Sequence, residues 1–174
     1  MDEASIHNAG PHDLAGAFRE VMSGVCTPVS VVTAMDGQRP HGTTVSAFTS
    51  LSMDPPMVLV SLDRDSELLA LIQAGGRFGL NVLETTQAGL ARRFARKGKA
   101  KFEGVSWRLS QGLPRLAGGT GWLACAVERL VEGGDHVIVL GTVLAADRQP
   151  APPLTYHARV FGTHTTLEVS RSCG

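Results

Sequence analysis

The sequence predicts a mainly β protein of the α+β class, an antiparallel barrel with helices covering its ends. About seven short segments are rich in β-branched and apolar residues, and turn signals separate them. Only two or three segments have helical periodicity, and they do not alternate with the strands as a parallel βαβ fold requires. The 20 glycines and nine prolines among 174 residues are typical of a chain with many turns. These observations together favour an antiparallel barrel.

The first part of the chain is predicted to form one helix and then three strands. Asp13–Met22 has one apolar face, and Asp13 is a suitable N-cap for a helix there. Pro28–Ala34 and Gly42–Phe48 are predicted to pair as a hairpin, because Asp36-Gly37 between them is a turn signal. Met57–Leu62 is apolar on both faces, which indicates an inner strand.

The second part of the chain is predicted to add two helices and four or five strands. Ser66 and Thr86 are predicted helix N-caps, and glycines follow both helices. The sequence "EGGD" indicates a turn between two long strands, and a break is expected near Gly162. The predicted elements are helix Glu67–Gln73, strand Phe78–Leu83, helix Gln87–Lys97, strands Trp122–Val131 and His136–Ala146, and one or two strands within Leu154–Leu167.

Composition and charge limit the possible partners. Sixteen Lys and Arg residues balance sixteen Asp and Glu residues, so no overall field attracts nucleic acid or an anionic membrane. The three widely spaced cysteines form no CxxC pair, which argues against a disulfide framework or a zinc site. The polar, acidic N-terminal stretch does not resemble a signal peptide, and there is no apolar run of about 18 residues, so a cytoplasmic protein is expected.

The expected organisation is one domain, residues 13–168, between an N-terminal tail, residues 1–12, and a C-terminal tail, residues 169–174. Standard catalytic fingerprints are absent from the sequence: there is no GxGxxG, P-loop or GxSxG motif. The six histidines lack the spacing of metal ligands, so no metal site is predicted. A reaction that relies on a nucleophile or a metal therefore has no positive support.

A hydroxyl-rich segment is the first candidate site. Six of the ten residues from Thr43 to Ser52 carry a hydroxyl group. Small side chains let a flat ligand approach the backbone, whose N–H groups can then donate hydrogen bonds to it. The alternative is a polar edge strand and turn with no ligand.

A basic segment is the second candidate. "ARRFARKGKAK" holds six cations within Arg92–Lys101, and Glu103 is the first acidic residue that follows. Like charges four residues apart destabilise a helix by a few tenths of a kcal/mol, so a bound anion such as a phosphate is one explanation. A solvated helix face is the other.

His136 is the third candidate, because it lies where the glycine turn "EGGD" enters an apolar strand. The ring can then be presented at the rim of a barrel, with Asp135 capping the turn. A polar hairpin tip without a function is the alternative.

Six segments, taken in their order along the chain, connect the three candidate sites to one known family. They are "GVCTPVSVVTA", "HGTTVSAFTSLSMDPPMVLVSL", "FGLNVL", "RFARKGKAKFEG", "GGDHVIVLGTV" and "PLTYHARVFG". In this order they resemble the short-chain flavin reductase family, the small NAD(P)H:flavin oxidoreductases that feed two-component monooxygenases. The resemblance covers roughly Phe18 to Gly162. It departs at "CTP", where many members have a shorter Gly-Val-Thr run.

The resemblance implies a split β-barrel that works as a homodimer, with a flavin bound non-covalently at the dimer interface. The implied flavin is FMN, with FAD possible, and the implied reductant is NADH, with NADPH possible. The partner is a flavin-dependent monooxygenase, reached by diffusible reduced flavin. The resemblance places Thr43, Thr44, Val45, Ser46 and Ala47 along the flavin ring and ribityl chain. It places Ser50, Leu51 and Ser52 beside the ribityl chain and phosphate, and it has the site lined by the end of the next strand at Ser61, Leu62 and Asp63. The implied phosphate-side residues are Arg93, Phe94, Ala95, Lys97 and Lys101, and His136 is placed on the nicotinamide side.

Hydride transfer explains the missing catalytic fingerprints. It requires the nicotinamide C4 and the flavin N5 to lie within roughly 3–3.5 Å with parallel faces, while the cofactors carry the redox chemistry. No essential acid or base is predicted, and His136 is expected to orient the nicotinamide. The alternatives are a relative of pyridoxamine-phosphate oxidase, a flavin-binding protein without turnover, and a purely structural barrel.

Overall fold

The computed structural model describes residues 11–98 and 100–167. The predicted C-terminal tail, Lys99 and residues 1–10 of the predicted N-terminal tail lie outside these ranges. The helices are α1 Pro11–Ser23, α2 Glu67–Gly75 and α3 Ala88–Ala95. The strands are β1 Thr27–Pro28, β2 Ser30–Asp36, β3 Arg39–Val45, β4 Phe48–Met53, β5 Pro56–Asp63, β6 Arg77–Val82, β7 Trp107–Ser110, β8 Leu113–Leu116, β9 Gly121–Gly133, β10 His136–Arg148, β11 Leu154–His157 and β12 Val160–Thr163.

Seven antiparallel strands form the main sheet, in the order β3-β2-β6-β9-β10-β5-β4. The two edge strands, β3 and β4, are consecutive in the chain and are joined only by Ser46 and Ala47. The sheet therefore curls into a barrel whose hydrogen-bond ladder is open between β3 and the β4–β5 hairpin. The amide of Ser61 in β5 donates to the carbonyl of Ala47 at 2.9 Å, which extends the β4–β5 ladder by one residue beyond the start of β4. The predicted antiparallel barrel is thus a split barrel.

Strand β2 is buried on both faces, which explains its continuous run of apolar and small residues. Val32 and Ala34 point into the barrel, where they join α2 and the main core. Val31 points outward to a second core with Phe94 of α3 and Leu116 of β8. Helix α3 is therefore held against the outer face of the barrel at β2 and β3.

The buried side chain of Asn81 ties the β7–β8 hairpin to the barrel. Its Nδ2 donates to the carbonyl of Val31 at 3.2 Å, and its Oδ1 accepts from the amide of Leu116 at 2.8 Å. Gly141 makes room for the ring of Phe78 in the inner core, because a Cβ at this position would lie 2.6 Å from that ring. A polar residue within an apolar strand is thus explained by its buried hydrogen bonds, and a glycine is explained by the close approach of a neighbouring ring.

Several sequence-based boundaries were wrong. The predicted strand Gly42–Phe48 ends at Val45, and a second strand, β4, was missed. The β7–β8 hairpin was also missed, although Gln111 and Gly112 form its turn with φ values of 52° and 74°. The chain breaks between β11 and β12 at residues 158–159, and Gly162 lies within β12.

The predicted helices were found with different ends. Helix α1 begins at Pro11, so Asp13 is not its N-cap. Ser66 is the N-cap residue of α2, but its side chain makes no capping hydrogen bond. A 3₁₀ turn precedes α3, and Glu84 forms its capping box in place of the predicted Thr86. Helix α3 ends at Ala95 and not at Lys97. No helix in the described residues is both long and apolar enough to span a membrane.

Candidate functional site

The gap in the barrel opens onto a cavity of about 240 Å³, which we call the serine cavity. It lies where β3 ends, where β5 ends and where β10 begins, and His136 of β10 pairs with Asp63 of β5. Its lining residues are Thr43, Thr44, Val45, Ser46, Ala47, Ser61, Leu62, Asp63, Ser66 and His136. Nine of the residues implied by the sequence resemblance therefore meet at one place.

The threonine and serine hydroxyls around the serine cavity have two different roles. Thr43 Oγ1 donates to the carbonyl of Phe94 at 3.3 Å, and Thr44 Oγ1 donates to the carbonyl of Ala91 at 2.7 Å. These two threonines therefore fasten α3 to β3. In the described part of the chain, by contrast, the hydroxyls of Ser46, Ser61 and Ser66 make no hydrogen bond to protein, and all three line the serine cavity. The serine hydroxyls are therefore available to a ligand, whereas the threonine hydroxyls attach α3 to the strand that lines the cavity.

The backbone of β3 also faces this region, because β3 is an edge strand. Lys101 Nζ donates to the carbonyl of Gly42 at 3.1 Å, so the Gly42 peptide faces away from the sheet. The two-residue repeat of a strand places the N–H and C=O groups of Thr44 on the same side. A ligand in the serine cavity can therefore bond to main-chain groups that no neighbouring strand satisfies.

His136 is fixed by the turn that precedes it. Its Nδ1 lies 2.7 Å from the Asp135 carboxylate, so Nδ1 carries the proton and Nε2 is left for a ligand. The hydrogen bond from His136, together with its charge when protonated, holds the pKa of the Asp135 carboxyl below its usual value. The turn itself is attached to the barrel, since Arg64 Nη2 donates to the carbonyl of Gly134 at 2.7 Å.

A second cavity of about 600 Å³, the helix-end cavity, adjoins the serine cavity at Thr43, Asp63 and Ser66. The predicted phosphate-side residues Ala95, Lys97 and Lys101 line it, but so do acidic side chains. Lys101 Nζ also donates to the carbonyl of Phe94 at 3.0 Å, which caps the C-terminus of α3. Burial lowers the pKa of Lys101, and the carboxylate of Glu67 offsets part of this effect.

The remaining implied residues lie elsewhere. Ser50, Leu51 and Ser52 belong to β4 and do not line the serine cavity. Ser52 Oγ accepts from the amide of Asp54 at 3.3 Å. Arg93 donates to the carbonyl of Glu103, and Phe94 is fully buried in the second core. The roles of these residues stay predictions.

A third cavity of about 590 Å³, the arginine cavity, was not found from the sequence. It adjoins the serine cavity at Thr44 and Ser46 and lies between α3 and the β11–β12 hairpin. Its distinctive side chains are Arg92, Tyr156, Arg159 and Phe161. Ser66 of the serine cavity was also missed as a site residue. The sequence indicated only a helix N-cap role for Ser66, and its hydroxyl makes no capping hydrogen bond in the structure.

The described residues contain no group of three or more His, Cys, Asp or Glu side chains placed to hold a metal ion. The cavities instead offer hydroxyls, main-chain groups, one histidine and guanidinium groups. The fold and the site together define a split-barrel protein that can bind a planar ligand rich in oxygen and nitrogen.

Comparisons with known proteins identify the family. The family described as "Flavin reductase like domain" matches residues 22–165. A Rhizobium meliloti (strain 1021) protein named "Probable flavin reductase" is 38% identical over 142 residues, which is 80% of this chain and 46% of that protein. This chain thus spans less than half the length of that relative.

Two further relatives cover both chains more fully. The reductase component of 4-nitrophenol 4-monooxygenase/4-nitrocatechol 2-monooxygenase from Rhodococcus opacus is 39% identical over 145 residues, which is 83% of this chain and 78% of that protein. The solved structure of the Streptomyces globisporus C-1027 NADH:FAD oxidoreductase in complex with NAD and FAD fragments is 35% identical, with a TM-score of 0.81. The superposition covers 95% of this chain and 98% of that chain.

The chain belongs to the flavin reductase-like family. The predicted family and the predicted split-barrel fold are therefore confirmed. The predicted enzyme class, an NAD(P)H:flavin oxidoreductase, agrees with the names of these relatives.

Proposed function

We propose that this chain is an NAD(P)H:flavin oxidoreductase that reduces FMN or FAD and supplies reduced flavin to a partner monooxygenase. The serine cavity is the observation that carries the proposal, because it combines unbonded hydroxyls, open main-chain groups and His136 in a member of this family. The Rhodococcus opacus relative is itself a monooxygenase reductase component, which supports a monooxygenase as the partner.

The residues of the serine cavity fit a flavin chemically. A flavin edge carries carbonyl oxygens and a ring N–H, and its ribityl chain carries hydroxyls. Serine hydroxyls and peptide groups can donate hydrogen bonds to the oxygens and accept them from the N–H and O–H groups. The small side chains of Ser46 and Ala47 leave room for a flat ring beside the backbone of this segment. When bound, the flavin supplies the redox chemistry by accepting a hydride from the reduced nicotinamide.

The protein contributes position and not proton transfer. His136 offers Nε2 as one hydrogen-bonding group at the rim of the cavity, and Asp135 fixes the ring orientation. Thr43 and Thr44 hold α3 against the floor of the site and keep β3 in place. We assign His136 to the nicotinamide and the serines to the flavin, as the sequence resemblance implies.

The chain is further proposed to act as a homodimer. Helix α1 presents an apolar face to solvent in the single chain, where the exposed fractions of Leu14, Phe18 and Val21 are 66%, 62% and 70%. Large apolar side chains in one stripe are typical of an interface between proteins. The expected domain bounds, 13–168, and the cytoplasmic location stay predictions.

A steady-state assay tests the proposed activity. NADH oxidation at 340 nm is followed with FMN, FAD or riboflavin added, and the rate is expected to rise in proportion to protein and to saturate with flavin. Under anaerobic conditions one flavin should be reduced for each NADH consumed. A rate no greater than that of free flavin with NADH would overturn the proposal.

A matched pair of variants tests the location. Ser46→Leu places a large side chain in the serine cavity and is expected to weaken flavin binding at least roughly tenfold, measured by flavin fluorescence. Thr49→Leu makes the same change on the exposed part of β4, away from the cavity, and should leave binding unchanged. Equal affinities for the two variants would remove the serine cavity as the flavin site.

A further inference from the structure

The arginine cavity continues the serine cavity on the side of α3 and the β11–β12 hairpin. Thr44 and Ser46 line both cavities, so one ligand that occupies the two would contact this end of β3 along its length. The arginine cavity is more than twice as large, at about 590 Å³ against about 240 Å³. A single phosphate group does not fill such a volume.

The charge of the arginine cavity favours an anion. Arg92 and Arg159 line it, and no acidic side chain does. Among the described residues neither arginine has a salt-bridge partner. The helix-end cavity differs, since Asp63, Asp65 and Glu67 there face its basic side chains. Of the two neighbours of the serine cavity, the arginine cavity is thus the better site for phosphate oxygens.

Two aromatic rings give the same cavity a place for a flat base. The rings of Tyr156 and Phe161 lie 5.1 Å apart and are tilted by 58°. The guanidinium carbon of Arg92 lies 5.0 Å from the centre of the Phe161 ring. The exposed ring of Tyr156, the half-buried ring of Phe161 and the guanidinium plane of Arg92 are together suited to stacking with a purine.

The hairpin turn that carries Arg159 has an unusual backbone. Ala158 and Arg159 have φ values of 48° and 64°, a region that favours glycine. The turn is nevertheless held in place, because the amide of Ala158 donates to the carbonyl of Ser23 at 2.8 Å. An arginine with this backbone conformation is consistent with a use for its guanidinium group.

We propose that the arginine cavity binds the adenosine diphosphate half of FAD, with Arg92 and Arg159 on the phosphates and the aromatic rings beside the adenine. This inference rests on the proposed binding of the flavin ring in the serine cavity. It makes Arg92 and Arg159 the residues that select FAD over FMN, because FMN lacks the adenylate group that would occupy most of the cavity.

Equilibrium binding of FAD, FMN and riboflavin to the full chain tests the proposal. Arg92→Ala and Arg159→Gly are each expected to weaken FAD binding about tenfold and FMN binding less than about threefold, the loss of one charge-assisted contact. Glycine suits the φ of residue 159, so Arg159→Gly should fold as well as the parent, which thermal unfolding checks. Arg148→Ala removes an exposed arginine that lines none of the three cavities and should change neither affinity.

ADP serves as a separate probe, expected to compete with FAD in the parent chain and to lose its effect in both variants. An equal loss of FMN and FAD affinity would mean that the arginines bind only the ribityl phosphate, and this result overturns the inference. Weaker NADH binding with unchanged FAD binding would assign the cavity to the adenylate of the nicotinamide nucleotide, which also overturns it.

The failures of the two proposals are distinguishable because binding is measured without turnover. A parent chain that binds FAD more tightly than FMN through these arginines, yet oxidises no NADH, sustains this inference and overturns the proposed reductase activity. A parent chain that reduces both flavins, with variants that do not separate FAD from FMN, overturns this inference alone.

Discussion

Replacing His136 by alanine should raise KM for NADH while leaving KM for flavin and kcat almost unchanged. The side chain reaches the serine cavity, but its Nδ1 is already bonded to Asp135 at 2.7 Å. Only Nε2 is left, so the variant loses at most one hydrogen bond to the nicotinamide. Because such binding is equal in the ground state and the transition state, it acts on KM and not on kcat.

The magnitude follows from that single contact. A neutral hydrogen bond contributes about 0.5–1.5 kcal/mol, which corresponds to roughly a two- to tenfold change in KM. The His136 side chain is 45% exposed, and water competes for its Nε2, so the lower half of that range is expected. A change of a hundredfold or more would require His136 to take part in the chemical step.

The assay measures initial rates with NADH varied at saturating flavin, and then with flavin varied at saturating NADH. His164→Ala removes an exposed histidine outside the three cavities and is the matched control. Asp135→Asn should produce a smaller rise in KM for NADH, and it should add less than about twofold when combined with His136→Ala, since Asp135 acts through the ring. Equal increases in KM for NADH and for flavin would refute the assignment of His136 to the nicotinamide.

Three further predictions concern the support of the site. Gly42→Ala should lower the free energy of unfolding by about 1–3 kcal/mol, because its Cβ would lie 3.1 Å from the ring of Phe94; chemical denaturation that shows no loss would contradict this packing. Asn81→Leu should cost about 2–4 kcal/mol in the same measurement, since it leaves the buried amide of Leu116 without its acceptor. Burial raises the pKa of Cys125 to about 12, so its thiol should stay unreactive towards a disulfide reagent at pH 8 and become reactive only on unfolding. Labelling of native Cys125 at the rate of a free thiol would show that the barrel opens there.

Much of the barrel was predictable because its signals are local. Strand β2 and strand β5 are marked by β-branched residues, and the glycines of the β9–β10 turn indicate a hairpin. The β4 strand was not predictable in the same way. Its hydroxyl-rich, half-exposed segment has no apolar alternation, and it is a strand only because β5 provides a partner.

The candidate site was predictable in part, for a physical reason. The family resemblance consists of contiguous sequence motifs, and two of these motifs contain the residues of β3 and His136. The sequence therefore located these residues. The arginine cavity depends on Arg92 and Arg159, which are far apart in sequence and meet through the packing of the terminal hairpin. A turn with two non-glycine residues at positive φ carries no sequence signal that would have located Arg159.

The open gap of the barrel links the fold to the proposed function. A closed barrel satisfies all its peptide groups between strands, whereas this barrel leaves the outer edge of β3 without a partner strand. Lys101 satisfies the carbonyl of Gly42, and the amide of Ser61 satisfies the carbonyl of Ala47. Between them the backbone of Thr44 faces the serine cavity with no strand beside it. A polar ring bound there would complete the hydrogen bonding that the missing strand would have supplied, which is why we propose the gap, and not the apolar interior, as the flavin site.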